Sequence, residues 1–86
     1  MRTIMIFHEV DDVDHWLKSA KRYEVFGPLG ITTRTFVDPE RSNRVGLIVE
    51  VPSMELYQQA MESPGAAAAM RYDGVRPDTL QVLTEG

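Results

Sequence analysis

The chain contains no cysteine. Disulfides, thiolate metal sites and thiol nucleophiles are excluded together, and a reducing compartment fits, so a cytoplasmic location is the expectation. Histidine is nearly as scarce: His8 and His15 are the two imidazoles. Basic residues are outnumbered, nine against thirteen acidic for a net charge of −4, and they form no cluster. Nucleic acid and anionic membrane surfaces both demand local positive charge, so neither is an expected partner. The apolar stretch at Met1–Phe7 is too short for a membrane span and lacks a small-residue cleavage site. Gly27, Gly30 and Gly65 stand outside any G-x-G-x-x-G or Walker spacing, which excludes a phosphate loop of those types. A chain of 86 residues implies one domain, 1–86. A domain of that size buries only roughly 60% of its unfolded surface, and a partner subunit would improve that fraction.

What the sequence does have is a strong β-strand at its centre. In Arg44–Pro52, Val45, Leu47, Val49 and Val51 recur at every second position, while Gly46, Ile48 and Glu50 occupy the alternate face. Thr3–Val10 alternates too, with Ile4, Ile6 and His8 on one side and Met5, Phe7 and Glu9 on the other. Acids at 11, 12 and 14 then supply an N-cap and favourable charge for a helix from about Val13 to about Tyr23, with Val13, Trp16, Leu17 and Ala20 as its apolar face. Lys18, Lys21 and Arg22 suit the C-terminal end of that helix. Phe26–Gly30 breaks it. Ile31–Val37 reads as a second strand, joined by a hairpin turn over 38–43 to the central one. Ser53 caps a helix with Met54, Tyr57 and Met61 inward, Ser63-Pro64 starts another that Asp73-Gly74 ends, and Thr79–Thr84 is the last strand.

The order β-α-β-β-α-β predicts an α+β domain, a four-stranded antiparallel sheet with both helices on one face. Thr3–Val10 and Arg44–Val51 are expected side by side and parallel in the middle. Val45, Leu47, Val49 and Val51 hold the helices. Ile4, Ile6, His8, Phe36, Ile48 and Glu50 are expected on the uncovered face, where a second copy of the chain is the simplest cover.

These residues resemble a known group. His8-Glu9-Val10, followed by acids and a helix with an early Trp16, then Val49-Glu50-Val51, Met54-Glu55 and the Ser63-Pro64 to Ala69-Met70 segment are similar to the small dimeric α+β barrel proteins of ferredoxin-like fold. That superfamily includes antibiotic-biosynthesis monooxygenases, stress-responsive barrel proteins and polyketide cyclases, and the chain is most similar to its short bacterial members of uncertain role. The resemblance implies a homodimer. It spans nearly the whole chain on structural rather than catalytic motifs, and the superfamily's chemistries are diverse.

Candidate chemistry centres on His8, Glu50 and Arg34. The expected strand pairing places them together, either as an acid-base site or as a dimer-buried Arg34–Glu50 ion pair with His8 at its rim. Tyr23, Phe26, Phe36 and Ile48 are candidate ligand-contacting residues. His15 with Asp11, Asp12 and Asp14 has metal-site composition without metal-site spacing, and a helix N-terminus attracts acids anyway, so no metal is expected. Trp16 reads as core. The two readings are a small-molecule site for a compact apolar metabolite, with acid-base chemistry and no bound cofactor, and a non-catalytic binding or assembly module. A cavity beside His8 favours the first, and a filled interior the second.

Overall fold

Pairing of β1, Arg2–Val10, with β3, Arg44–Val51, forms the centre of one four-stranded sheet. A computed structural model describes residues 2–86. The edge strands are β2, Thr32–Val37, and β4, Val75–Thr84, in the order β2-β3-β1-β4 with every neighbouring pair antiparallel. Four helices, α1 (Val13–Lys18), α2 (Lys21–Phe26), α3 (Met54–Glu62) and α4 (Pro64–Asp73), supply the second layer. Among the described residues no helix is long and apolar enough to cross a membrane.

The direction of the central pair corrects the sequence reading. A tight β2–β3 hairpin makes β3 antiparallel to β2. The crossover through α1 and α2 joins β1 to β2, so these are the parallel pair, with β3 between them and opposed to both. His8 therefore sits opposite Val45 near one end of the pair, and Glu50 sits opposite Thr3 at the other.

The faces are corrected as well. Ile4, Ile6, His8 and Val10 share the buried face with Val45, Leu47, Val49 and Val51, and this face meets the helices. Met5, Phe7, Ile48 and Phe36 lie on the other face, with Phe36 about half exposed. Ile4 and Ile6 thus leave the expected open face for the core, while Ile48 and Phe36 keep their expected place. Alternation along β1 was legible from the start. Which parity faced inward depended on the pairing register, and a one-residue change of register reverses it.

The first helix is broken in two at Ser19–Ala20. The Ser19 N–H caps α1 by reaching the carbonyls of His15 and Trp16, and the Ser19 hydroxyl accepts the Lys21 N–H at 3.1 Å. A serine that serves both helices substitutes local side-chain bonds for the continuing helical ladder. Trp16 is buried by α1, whereas Leu17 and Ala20 are exposed, unlike the continuous apolar stripe expected. The break also re-phases α2, so that Arg22 and Phe26 point inward.

The strand β4 starts at Val75, four residues before the expected Thr79, because a bulge lengthens it. Phe7 pairs with Gln81, but Glu9 pairs with Arg76. Pro77 cannot donate a ladder hydrogen bond, which favours an interruption here. The Thr79 hydroxyl accepts the Glu9 N–H at 2.8 Å and donates to the Arg76 carbonyl at 2.6 Å, and Arg76 reaches both Glu9 and Asp11. His8 lies opposite this bulge.

Truncating Ile4 to alanine separates the two face assignments. Ile4 is fully buried, so the substitution is expected to cost about 2–5 kcal/mol in urea unfolding. A loss below about 1 kcal/mol would place Ile4 outside the core.

Candidate functional site

Between the helices and the sheet lies a cavity of about 60 Å³. Its walls are apolar, with Ile6, Phe26, Leu47 and Ala69 among them, and three ionisable side chains reach it: His8 from β1, Arg22 from α2 and Asp73 from the end of α4. A volume of that size holds a few waters or the head of a small organic molecule. Val25, Met61, Met70, Val75 and Leu80 line it while remaining half-buried, so its rim reaches the surface where flexible methionines border it.

The three polar residues are all at least nine-tenths buried. Trp16 is a wall shared by two of them: the His8 ring meets it edge-on at 5.7 Å, and the Arg22 guanidinium lies 4.6 Å from its ring centre. Arg22 Nη1 donates to the Trp16 carbonyl at 2.9 Å and stands 3.7 Å from Asp73 Oδ2, a charge contact longer than a hydrogen bond. His8 Nδ1, Arg22 Nε and Nη2, and Asp73 Oδ1 have no hydrogen-bond partner among the described residues. Four such atoms around one cavity are unusual, because buried polar groups are normally paired. Buried unpaired groups that converge on a cavity are candidates for contact with a ligand.

Burial depresses the His8 pKa below its ordinary value, and the neighbouring Arg22 cation acts in the same direction. The nearby Glu9 backbone and the Asp73 carboxylate oppose them without prevailing. The imidazole is therefore neutral at pH 7, the form that accepts a proton.

The expected trio of His8, Glu50 and Arg34 does not assemble. His8 faces the helices, whereas Glu50 and Arg34 face outward from the sheet, and His8 stands five positions along β1 from Thr3, the partner of Glu50. At strand spacing that is roughly 17 Å. Arg34 pairs with Ile48, the pairing the hairpin length implied, and its guanidinium lies 5.7 Å from the Phe36 ring. Phe26 lines the cavity; Tyr23 is half exposed and lies 5.3 Å from the Arg22 guanidinium at its ring centre. Phe36 and Ile48 belong to the open sheet face. His15 Nε2 is 2.8 Å from the Tyr72 carbonyl, Asp12 caps α1, and Asp11 holds Arg76.

Arg22 and Asp73 are the residues the sequence reading missed. From the sequence, Arg22 suits the C-terminal end of the expected helix, where the dipole favours a cation. Asp73 carried a usable signal: a carboxylate in the last turn of a helix meets the negative end of the dipole and calls for a cationic partner. Nothing in the sequence places that partner 51 positions earlier.

No family model and no curated protein matches this chain. Solved structures do. An antibiotic biosynthesis monooxygenase superposes over 100% of this chain and 97% of its own with a TM-score of 0.68 at 11% identity. A putative antibiotic biosynthesis monooxygenase from Deinococcus radiodurans covers 100% and 91% with a TM-score of 0.64 at 10% identity. A dimeric ferredoxin-like protein from an uncultured marine organism covers 99% and 91% with a TM-score of 0.56 at 13% identity. The chain shares their ferredoxin-like fold. At these identities the likeness carries the architecture and leaves the chemistry to the site itself.

The depressed His8 pKa has a measurable consequence. Above the ordinary histidine value near pH 6.5, the imidazole is neutral folded and unfolded alike. As the pH falls below that value, the unfolded chain takes up its proton first and stability drops until the folded-state pKa is passed. Trp16, the single tryptophan, reports on the titration through its fluorescence. The expected transition has a midpoint below 6.5 and disappears in His8→Phe; a midpoint above 6.5 contradicts the burial account.

Proposed function

We propose that the helix-side cavity binds a compact, largely apolar metabolite with an ionisable or carbonyl group, and that His8 acts on it as an acid-base group without a bound cofactor. The observation that carries this reading is the cavity beside a buried, neutral His8 whose Nδ1 is unpartnered. A filled interior would have supported an assembly module instead. Proton transfer next to a carbonyl, as in isomerisation, cyclisation or oxygen addition, is chemistry an imidazole in an apolar pocket serves, as a base while neutral and as an acid once protonated. Arg22 lies where charge developing on the substrate would be stabilised.

The reading includes a homodimer. The uncovered sheet face carries Met5, Phe7, Phe36 and Ile48, with Leu83 of β4 well exposed beside them. A second copy buries this patch and, with it, Arg34 and Glu50, which lie diagonally on the same open face. In this arrangement Arg34 and Glu50 specify the dimer, and the acid-base role passes to His8 alone.

Native mass spectrometry of the purified protein tests both parts. The expected spectrum shows a dimer with a small organic adduct, and Ile48→Asp shifts it to monomer. Once the adduct is identified, His8→Gln is expected to retain it while lowering turnover by about 10²–10⁴-fold. A wild-type monomer at micromolar concentration removes the dimer, and unchanged turnover in His8→Gln removes the acid-base role.

A further inference from the structure

The four unpartnered atoms around the cavity are not equivalent, and their arrangement specifies a ligand. A guanidinium offers two edges with paired N–H bonds. In Arg22 the Nη1 corner is engaged by the Trp16 carbonyl and by Asp73, while the side edge formed by Nε and Nη2 has no partner. That edge presents two parallel donors at the spacing of the two oxygens of a carboxylate. The Arg22 side chain is 6% exposed, so the edge is withheld from bulk water, where two unmet donors on a cation are costly. Stacking on Trp16 at 4.6 Å and contact with Tyr23 at 5.3 Å fix the plane of the guanidinium.

Resting on the reading of the cavity as a small-molecule site, we propose that its ligand is a monocarboxylate, chelated by Nε and Nη2 of Arg22, and that its binding takes up a proton at His8. The charge count requires the proton. Arg22 and Asp73 neutralise each other, so an added carboxylate leaves one uncompensated negative charge in a buried site. His8, Arg22 and Asp73 are the ionisable groups that line the cavity, from β1, α2 and α4 respectively. Arg22 is already charged and Asp73 serves as its counter-ion, which leaves the neutral His8 to take up the proton. A dianion such as phosphate would double the deficit, and it gains nothing from the apolar walls. The carboxylate's short hydrocarbon tail meets them instead.

Butyrate and its isosteric amide, butyramide, are the probes, read by Trp16 fluorescence or its indole N–H resonance between pH 8 and pH 6. Butyrate is expected to bind more tightly than butyramide, and to tighten on acidification by up to roughly tenfold per pH unit, the limit for uptake of one proton. Butyramide is expected to show no such slope. Arg22→Lys keeps the charge but loses the side edge, and should weaken butyrate by about tenfold or more with the pH slope retained. The wild-type comparison stands even if that variant folds poorly. Equal binding of butyrate and butyramide, with the same pH response, overturns the carboxylate assignment and leaves the small-molecule site intact. A Trp16 signal that neither probe moves overturns both.

Discussion

Everything in this molecule follows from the antiparallel pairing of β1 with β3. That pairing sets which parity of β1 is buried, and the buried parity is Ile4, Ile6, His8 and Val10. Three of the four are what a core wants. The fourth is an imidazole carried inward by the period of two, because a strand cannot turn one side chain outward without a bulge or a change of register. A bulge does occur opposite His8, and it lies in β4. The partner strand yields at that level while β1 stays regular, so His8 remains in line with the core.

Once His8 is inside, the elements packed against it have to accommodate a polar ring. The break at Ser19 shortens α1 and turns α2 so that Arg22 enters the same space, and Gly74 in a left-handed cap ends α4 at Asp73. Arg22 and Asp73 keep the enclosed charge near zero. Their contact at 3.7 Å is too long for a hydrogen bond, so it leaves donor and acceptor capacity unspent. A pair serving stability alone would be expected to close that distance, because an incompletely paired buried charge destabilises more than an apolar replacement would. The looser arrangement suits a site that completes its hydrogen bonds with a ligand.

Much of the fold was legible in the sequence. Strands β1, β2 and β3, the hairpin, the Ser53 and Ser63 caps and the inward face of β3 all follow from alternation, turn residues and capping chemistry. The errors in the sheet have one physical source, which is non-local pairing. Assigning the parallel relation to β1 and β3 instead of β1 and β2 drew His8 to the side of Glu50 and sent Ile4 and Ile6 to the open face. The helix break was hidden because Val13, Trp16, Leu17 and Ala20 make a plausible stripe, and the cost of ending it is met by one serine hydroxyl. Arg22 and Asp73 were illegible as a pair, since their encounter depends on how α2 and α4 pack and on nothing in either segment. His8 was found for a simpler reason: a histidine on an apolar strand is conspicuous wherever it faces.

The central claim is that the site lies on the helix side of the sheet, around His8. A high-resolution crystal structure of the protein as purified tests it most directly. The account predicts density in the cavity within hydrogen-bond reach of His8 Nδ1 and the Nε–Nη2 edge of Arg22. A cavity closed by Trp16 or Met70 packed onto His8, with bound density instead at Glu50 and Arg34 on the opposite face, would contradict it.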